Sequence, residues 1–293
     1  MDLALVTCLD MPEPDVDQEL LIAALAAAGV EAYAPAWDDP AVDWDAAPLT
    51  VLRSTWNYAN DRDAFLDWAR RTSARSTVLR NPLNVITGNS HKSYLAGLER
   101  LELPVIPTRW FARGARPATP DLLRSLPWDR VVVKPAVGGG SSGVRAFDLT
   151  IDDEVEAAVA HVNALQARGE VLLQPELRSI VEEGERNVVW IGGEFTHVVT
   201  KYQRLEGGHE QAAAARQPTE EELALATRVL RTLPAYGERE LVYARVDMAP
   251  DELGTLRLIE LELVEPSLFL SMHEPALERF VQVLSRACGR ELR

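Results

Sequence analysis

A short apolar strand that ends in lysine and runs straight into a glycine loop restricts this chain more than any other feature. Val131-Val132-Val133-Lys134-Pro135 leads into Gly138-Gly139-Gly140-Ser141-Ser142-Gly143, and Val144-Arg145-Ala146-Phe147 then reads as extended again. Gly138, Gly140 and Gly143 spell G-x-G-x-x-G, but a dinucleotide fold needs a helix directly after the last glycine. A Walker A loop puts lysine and a hydroxyl residue after its last glycine, where Val144 stands here. A protein kinase carries its lysine on the strand after the loop. What remains is a hairpin with an ammonium at its base and bare N–H groups at its tip, an arrangement that holds polyphosphate. A plain surface hairpin is the alternative, and Lys134 at the entrance weighs against it.

Lysine is scarce elsewhere. Of thirty basic residues only Lys92, Lys134 and Lys201 are lysines. In a chain that uses arginine wherever it will serve, these three mark places that need a compact, flexible point charge. Net charge is −15, which argues against a nucleic-acid surface, since phosphate backbones need a basic stripe. Cys8 and Cys288 stand far apart in no metal or redox spacing and read as free thiols of a reducing compartment. The apolar run from Leu20 to Val30 is too short for a membrane span, and no secretory signal is visible, so a cytoplasmic location is expected.

The first third alternates strand and helix. Strands are expected at Leu3–Thr7, Val30–Ala34, Leu49–Leu52 and Val78–Leu79, with helices at Val16–Ala28 and Asp61–Ser73, which implies a parallel sheet. A helix carrying Lys92 is expected to begin near Asn89. Pro104 and Pro107 break the chain before Thr108–Phe111. Further on, Asp152–Arg168 reads as a long helix and Val171–Gln174 as a strand. A hairpin pairs Asn187–Ile191 with Glu194–Lys201 through Gly192-Gly193. A polar loop, Tyr202 to Gln217, precedes a helix from Thr219 to about Leu233. Strands at Leu241–Met248 and Thr255–Val264 come before a closing helix, Glu274–Ala287.

The second constellation is acidic. On the strand Thr255–Val264, Glu260 and Glu262 point the same way, roughly 6–7 Å apart. Two carboxylates side by side repel unless a cation sits between them. Asp247 on the preceding strand offers a third oxygen ligand, and the set suits Mg²⁺, the companion of a nucleoside triphosphate. A solvated acidic face is the bland alternative. Arg245, two residues before Asp247, faces with it and would stabilise charge on a transferred oxygen. Lys201 closes its strand, while Gln174, Glu176 and Leu177 form a hinge whose backbone can read an adenine edge. Glu185 is a candidate for ribose hydroxyls. His161 reads as a helix-surface residue.

These segments occur in the order found in ATP-grasp ligases. Lys92, Lys134-Pro135 with its glycine loop, Gln174–Leu177, Gly184-Glu185, Arg245-Val246-Asp247 and Glu260-Leu261-Glu262 resemble the signatures of glutathione synthetase and D-alanine–D-alanine ligase. Cys8-Leu9-Asp10, Trp37-Asp38-Asp39-Pro40, Arg53-Ser54-Thr55-Trp56-Asn57-Tyr58 and Asn81-Pro82 are similar to a narrower group, the cyclo-ligases that form D-cycloserine from O-ureido-D-serine. The resemblance implies an α/β, ATP-grasp architecture: an N-terminal parallel-sheet lobe (1–88), a central subdomain with the glycine loop (89–175) and a C-terminal subdomain with the metal site (176–293). It also implies ATP with one or two Mg²⁺ ions and a small amino-acid-like substrate. A homodimer is open, and neither a nucleic-acid nor a membrane partner is implied.

In such enzymes a carboxylate takes the γ-phosphate and an amine then displaces phosphate. ATP would sit on Lys92, Lys134, Gly138, Gly139, Gly140, Ser141, Ser142 and Gly143, with Gln174, Glu176, Leu177 and Glu185. Arg245 and Lys201 would be catalytic, Asp247, Glu260 and Glu262 would hold metal, and Arg53, Ser54, Thr55, Tyr58 and Ser267 would grip substrate. An intermolecular amino-acid or peptide ligase and a non-catalytic nucleotide-binding regulator are the alternatives. Two departures stand out: Glu262 occupies a position where the family usually has Asn, and the 202–217 loop lacks a basic run, so that either Arg204 substitutes for it or the loop is specialised for the substrate.

Overall fold

The computed structural model describes residues 1–139, 142–202, 211–236 and 240–289. The chain builds three sheets in succession. The first contains β1 (Leu3–Val6), β2 (Ala32–Tyr33), β3 (Leu49–Leu52) and β4 (Val78–Arg80), all parallel in the order β2-β1-β3-β4. Helices α1 (Gln18–Ala27) and α2 (Arg62–Ser73) supply the crossovers. Every residue of β1 and β3 is buried, as expected of parallel strands covered on both faces. Asp61 caps α2 by accepting Ala64 N at 3.0 Å, and Phe65, Leu66, Trp68, Ala69 and Thr72 form its inward face.

Helices α3 (Leu83–Asn89) and α4 (Tyr94–Arg100) follow. The sequence suggests one helix beginning near Asn89 and carrying Lys92; instead a helix ends at Asn89, and Lys92 occupies the turn before α4. The reason lies in what the turn holds. Asn89 Nδ2 donates to Leu261 O at 2.7 Å while its Oδ1 accepts Leu263 N at 2.8 Å, and Lys92 N donates to Ala136 O at 2.8 Å. Tertiary hydrogen bonds thus override local helix preference.

The second sheet is antiparallel, β5-β8-β6-β7, from β5 (Arg109–Phe111), β6 (Arg130–Pro135), β7 (Arg145–Asp148) and β8 (Val171–Pro175). Helix α5 (Pro120–Arg124) lies at its edge, and α6 (Asp152–Gln166) lays Val155, Ala158 and Val162 on it. Strands β6 and β7 form the expected hairpin around the glycine loop, pairing Arg130 with Asp148 and Val133 with Arg145.

The third sheet runs β11-β10-β9-β12-β13, with β9 (Glu185–Ile191), β10 (Glu194–Tyr202), β11 (Gln211–Ala212), β12 (Tyr243–Pro250) and β13 (Leu256–Glu262). Helix α7 (Arg178–Glu182) leads in, α8 (Glu220–Leu230) covers one face and α9 (Glu274–Ala287) part of the other. Val188, Trp190, Val246 and Leu261 pack with Leu225 and Val229 of α8. On the opposite face Val189, Ile191 and Tyr243 cluster with Phe280 and Leu284 of α9 and with Leu3 and Leu5 of the first sheet. Period-2 alternation therefore serves two cores at once. Along that second face the residues turn from apolar to charged, and there the site begins. Among the described residues, no helix is long and apolar enough to cross a membrane.

Candidate active site

Cross-strand register assembles the site. Asn187, Asp247 and Glu260 lie opposite one another on β9, β12 and β13, and Arg245 lies opposite Glu262 one row away. Glu185 faces Lys201 across β9 and β10. Residues opposite each other in a sheet share a face, so seven polar side chains crowd one end of it.

Above them sit two lysines from two different elements. Lys134 Nζ, at the end of β6, is 3.6 Å from Glu260 Oε1, and Lys92 Nζ, from the turn before α4, is 3.5 Å from Glu260 Oε2. Lys92 also donates to Gly138 O at 2.8 Å, which ties the glycine loop to the same point. Burial works against the charged Glu260, but the two ammonium groups overcome it and hold its carboxyl below the ordinary range.

Beside this clamp, Arg245 is 3% exposed and donates to Asp247 through Nε at 2.8 Å and Nη2 at 2.9 Å. It also pairs with Glu262 and donates to Ser267 O at 3.1 Å. One guanidinium thus serves a buried carboxylate, Asp247, and a half-buried one, Glu262. Burial, with Asp247 and Glu260 adding, pushes Glu262 up to about 8 even though Arg245 opposes the rise. Lys201 Nζ lies 3.1 Å from Glu185 Oε1; burial would raise the Glu185 carboxyl, but Lys201 and the Asn187 amide bring it down to about 2. The donors on this face are all oxygen, and Asn187 Oδ1, buried in the same row, has no hydrogen-bond partner. Among the described residues no three acids are grouped to hold a metal, Arg245 taking both Asp247 oxygens and two lysines taking Glu260; the unsatisfied Asn187 oxygen beside them is the feature that suits a hard divalent cation.

Where β8 ends, an apolar slot opens between Ile106, Val132, Ile180, Ile259 and the Gln174–Leu177 hinge, with Lys134 at its inner end. Gln174 donates to Thr108 Oγ1 at 2.9 Å and leaves its buried Oε1 without a partner. Glu176 is committed to Arg130 through its carboxylate and through its backbone N–H, which donates to Arg130 O at 3.0 Å. An apolar lining beside a lysine clamp suits one edge of a purine base.

The other residues singled out from sequence fall in three places. Tyr58 is buried, and Ser267 lies beside Arg245. Arg53, Ser54 and Thr55 are at most 3% exposed. Arg53 lies over the Tyr243 and Phe280 rings and donates to Pro266 O at 3.4 Å, so it braces the chain that carries Ser267. Gly139, Ser142 and Gly143 lie on the loop between β6 and β7, whereas Gly140, Ser141 and Arg204 fall outside the described residues. The N-terminal motifs interlock: Trp37 Nε1 donates to Asn57 Oδ1 at 2.7 Å, Asn57 to Asp38 at 2.7 Å, and Leu9 N to Asp38 at 2.8 Å.

Three residues escaped the sequence reading. His161, expected on a helix surface, has a ring nitrogen 2.9 Å from Gly143 O and tethers the end of the glycine loop to α6. Asn187 joins the acidic row; its signal was the shared parity with Glu185 on one strand. Glu265 lies beyond β13, where no periodicity reaches it. Its backbone O accepts Trp56 Nε1 at 2.9 Å, and its carboxyl accepts the Tyr58 hydroxyl.

The chain is similar to known proteins. A family model described as the N-terminal domain of D-cycloserine synthetase DcsG matches residues 3–81. The cycloserine biosynthesis protein DcsG of Streptomyces lavendulae is 33% identical over 295 residues, covering 97% of each chain. A crystal structure of D-cycloserine synthetase DcsG superposes with a TM-score of 0.87 at 31% identity, covering 98% of this chain and 100% of that one. The RimK-domain ATP-grasp protein of Sphaerobacter thermophilus, at 18% identity, reaches a TM-score of 0.70 over 97% and 98% of the two chains.

Proposed function

Because the chain belongs to the family of D-cycloserine synthetase DcsG and is an ATP-dependent ligase of ATP-grasp fold, we propose that it closes a ring within one amino-acid-like molecule, O-ureido-D-serine, to give D-cycloserine, ADP and phosphate. The substrate carboxylate attacks the γ-phosphate and ADP leaves. The aminooxy nitrogen of the same molecule then attacks the acyl carbon and phosphate departs; water takes the carbamoyl group off that nitrogen as carbamate, which breaks down to carbon dioxide and ammonia. The observation that carries this reading is the convergence of Lys92 and Lys134 on one carboxylate at the root of the glycine loop.

In this reading the adenine occupies the slot at Gln174–Leu177, Glu185 takes the ribose, and the loop amides with Lys92 and Lys134 surround the phosphates. Phosphoryl transfer needs little covalent help from a protein, so positioning and charge neutralisation dominate. Asp247, Glu260 and Glu262 would hold Mg²⁺, which would neutralise phosphate charge. Arg245, fixed by Asp247, Glu262 and the Ser267 carbonyl, would supply positive charge behind the transferred oxygens. Lys201 keeps Glu185 ionised. Tyr58 and Ser267 line the amino-acid end of the cleft, with Arg53, Ser54 and Thr55 beneath them. The division into 1–88, 89–175 and 176–293 belongs to the same proposal. Mass spectrometry of products from a panel of amino-acid substrates with Mg·ATP tests it: the cyclic product should come from one substrate alone.

A further inference from the structure

Glu265 has no part in the phosphate clamp or the oxygen-ligand row, yet the structure builds a setting around it. A Cβ added to Gly139 would lie 3.3 Å from Glu265 Oε1, so the glycine loop rests directly on that oxygen. Lys92, tied to Gly138 O, faces the same carboxyl. On the other side the Tyr58 hydroxyl donates to it, and Trp56 Nε1 anchors its backbone at 2.9 Å. The side chain is half-buried rather than sealed. An ionisable carboxyl, oriented by a phenol, thus opens beneath the loop that would carry the transferred phosphate.

We propose that Glu265 is the general base of the second half-reaction, accepting the proton of the attacking nitrogen; this rests on the acyl-phosphate reading above. The nitrogen lone pair forms the bond to the acyl carbon, and the carbon–oxygen bond to phosphate breaks with its electron pair leaving on phosphate. The N–H proton passes to the Glu265 carboxylate. Until that proton is removed the nitrogen can be expelled again, so an acceptor in place commits the adduct to product.

The electrostatics agree with the geometry. Burial raises the Glu265 carboxyl to about 7; Lys92, the Tyr58 hydrogen bond and Arg245 oppose the rise, and Glu260 adds to it. Tyr243 of β12 faces it as well. A base whose pKa lies near the working pH combines a large ionised fraction with real basicity.

The half-reactions separate this role from substrate binding. In the full-length enzyme, E265Q should lose product formation by about 10²-fold or more. It should still make the acyl phosphate, so with added hydroxylamine it should release ADP at close to the wild-type rate and give hydroxamate where the wild type gives mainly the cyclic product. E265D should recover part of the lost ring closure. In Y58F the acid limb of the kcat profile should move to higher pH, because the hydrogen bond that favours the carboxylate is gone. Ring closure by folded E265Q at the wild-type rate would overturn the assignment, as would loss of hydroxamate together with product, or an unmoved acid limb in Y58F. Should E265Q not fold, the Y58F profile decides alone. Failure of the wild-type enzyme to release ADP with the substrate would count instead against the proposed function.

Discussion

At the scale of single residues, charge placement separates ligand-binding groups from structural ones. Lys134→Ala removes one of two ammonium groups on Glu260 at the loop root, and ATP turnover should fall by roughly 10²-fold or more. Because Lys134 is partly exposed at the end of a strand, the thermal unfolding midpoint should move little, which calorimetry can check. Glu260→Gln should raise the Mg²⁺ concentration needed for half-maximal activity, whereas Glu262→Asn should be milder, since it keeps an oxygen ligand while Asp247 retains Arg245. A magnesium titration in which Glu262→Asn is the more damaging change would overturn the proposed ligand roles on β13.

At the scale of elements, two features of the third sheet carry consequences. Gly192, in the turn between β9 and β10, has φ +49°, and a Cβ there would lie 2.2 Å from Val283 Cγ2 on α9. Gly192→Ala should therefore cost about 1–3 kcal/mol in urea unfolding, with part recovered by adding Val283→Ala. His197 on β10 is fully buried and stacks on His273 at 4.7 Å. Burial, with His273 adding, depresses it to about 4. Folded His197 is thus neutral at pH values where an unfolded histidine, titrating near 6.5, already binds a proton. Stability should be undiminished above that value and fall as pH drops through the window down to about 4, by up to about 3 kcal/mol. Urea unfolding at pH 7 and pH 5 should show the loss, and His197→Gln should flatten it.

The same elements mark what a sequence can reveal. Strand parity put Arg245 with Asp247 and Glu260 with Glu262, because alternation is a local rule that the sheet obeys. The helix ending at Asn89 was misread because its boundary depends on hydrogen bonds to β13, some 170 positions away. The clamp on Glu260 likewise joins a turn, a strand end and a distant strand; scarcity of lysine hinted at it, but no spacing could. Glu265 and His161 were invisible for a related reason. Their importance comes from the glycine loop lying against them, a contact made only in three dimensions.

At the scale of the whole molecule, the first lobe is fastened to the third sheet. Asn81 is fully buried; its Nδ2 donates to Leu263 O at 2.7 Å and Tyr243 O at 3.1 Å, and its Oδ1 accepts Val242 N at 2.9 Å. The Tyr243 hydroxyl meanwhile lies 2.7 Å from Leu52 O and 2.8 Å from Val264 O, bridging the end of β3 to the chain after β13. The seam therefore fixes the first lobe against the strands that carry the charged row, and Asn81→Ala should cost about 3 kcal/mol or more by leaving buried backbone groups unpaired. Ring closure depends on that alignment of amino-acid end and phosphate end. The most direct test follows ADP release and product mass with O-ureido-D-serine and Mg·ATP, without and with added amines. Tethering gives the nucleophile an effective molarity of roughly 10⁵ M or more. ADP release should therefore saturate with the single substrate and yield the cyclic product, and millimolar hydroxylamine should divert little of it. Strict dependence of ADP release on a separate amine, with a linear amide as product, would contradict the proposed function.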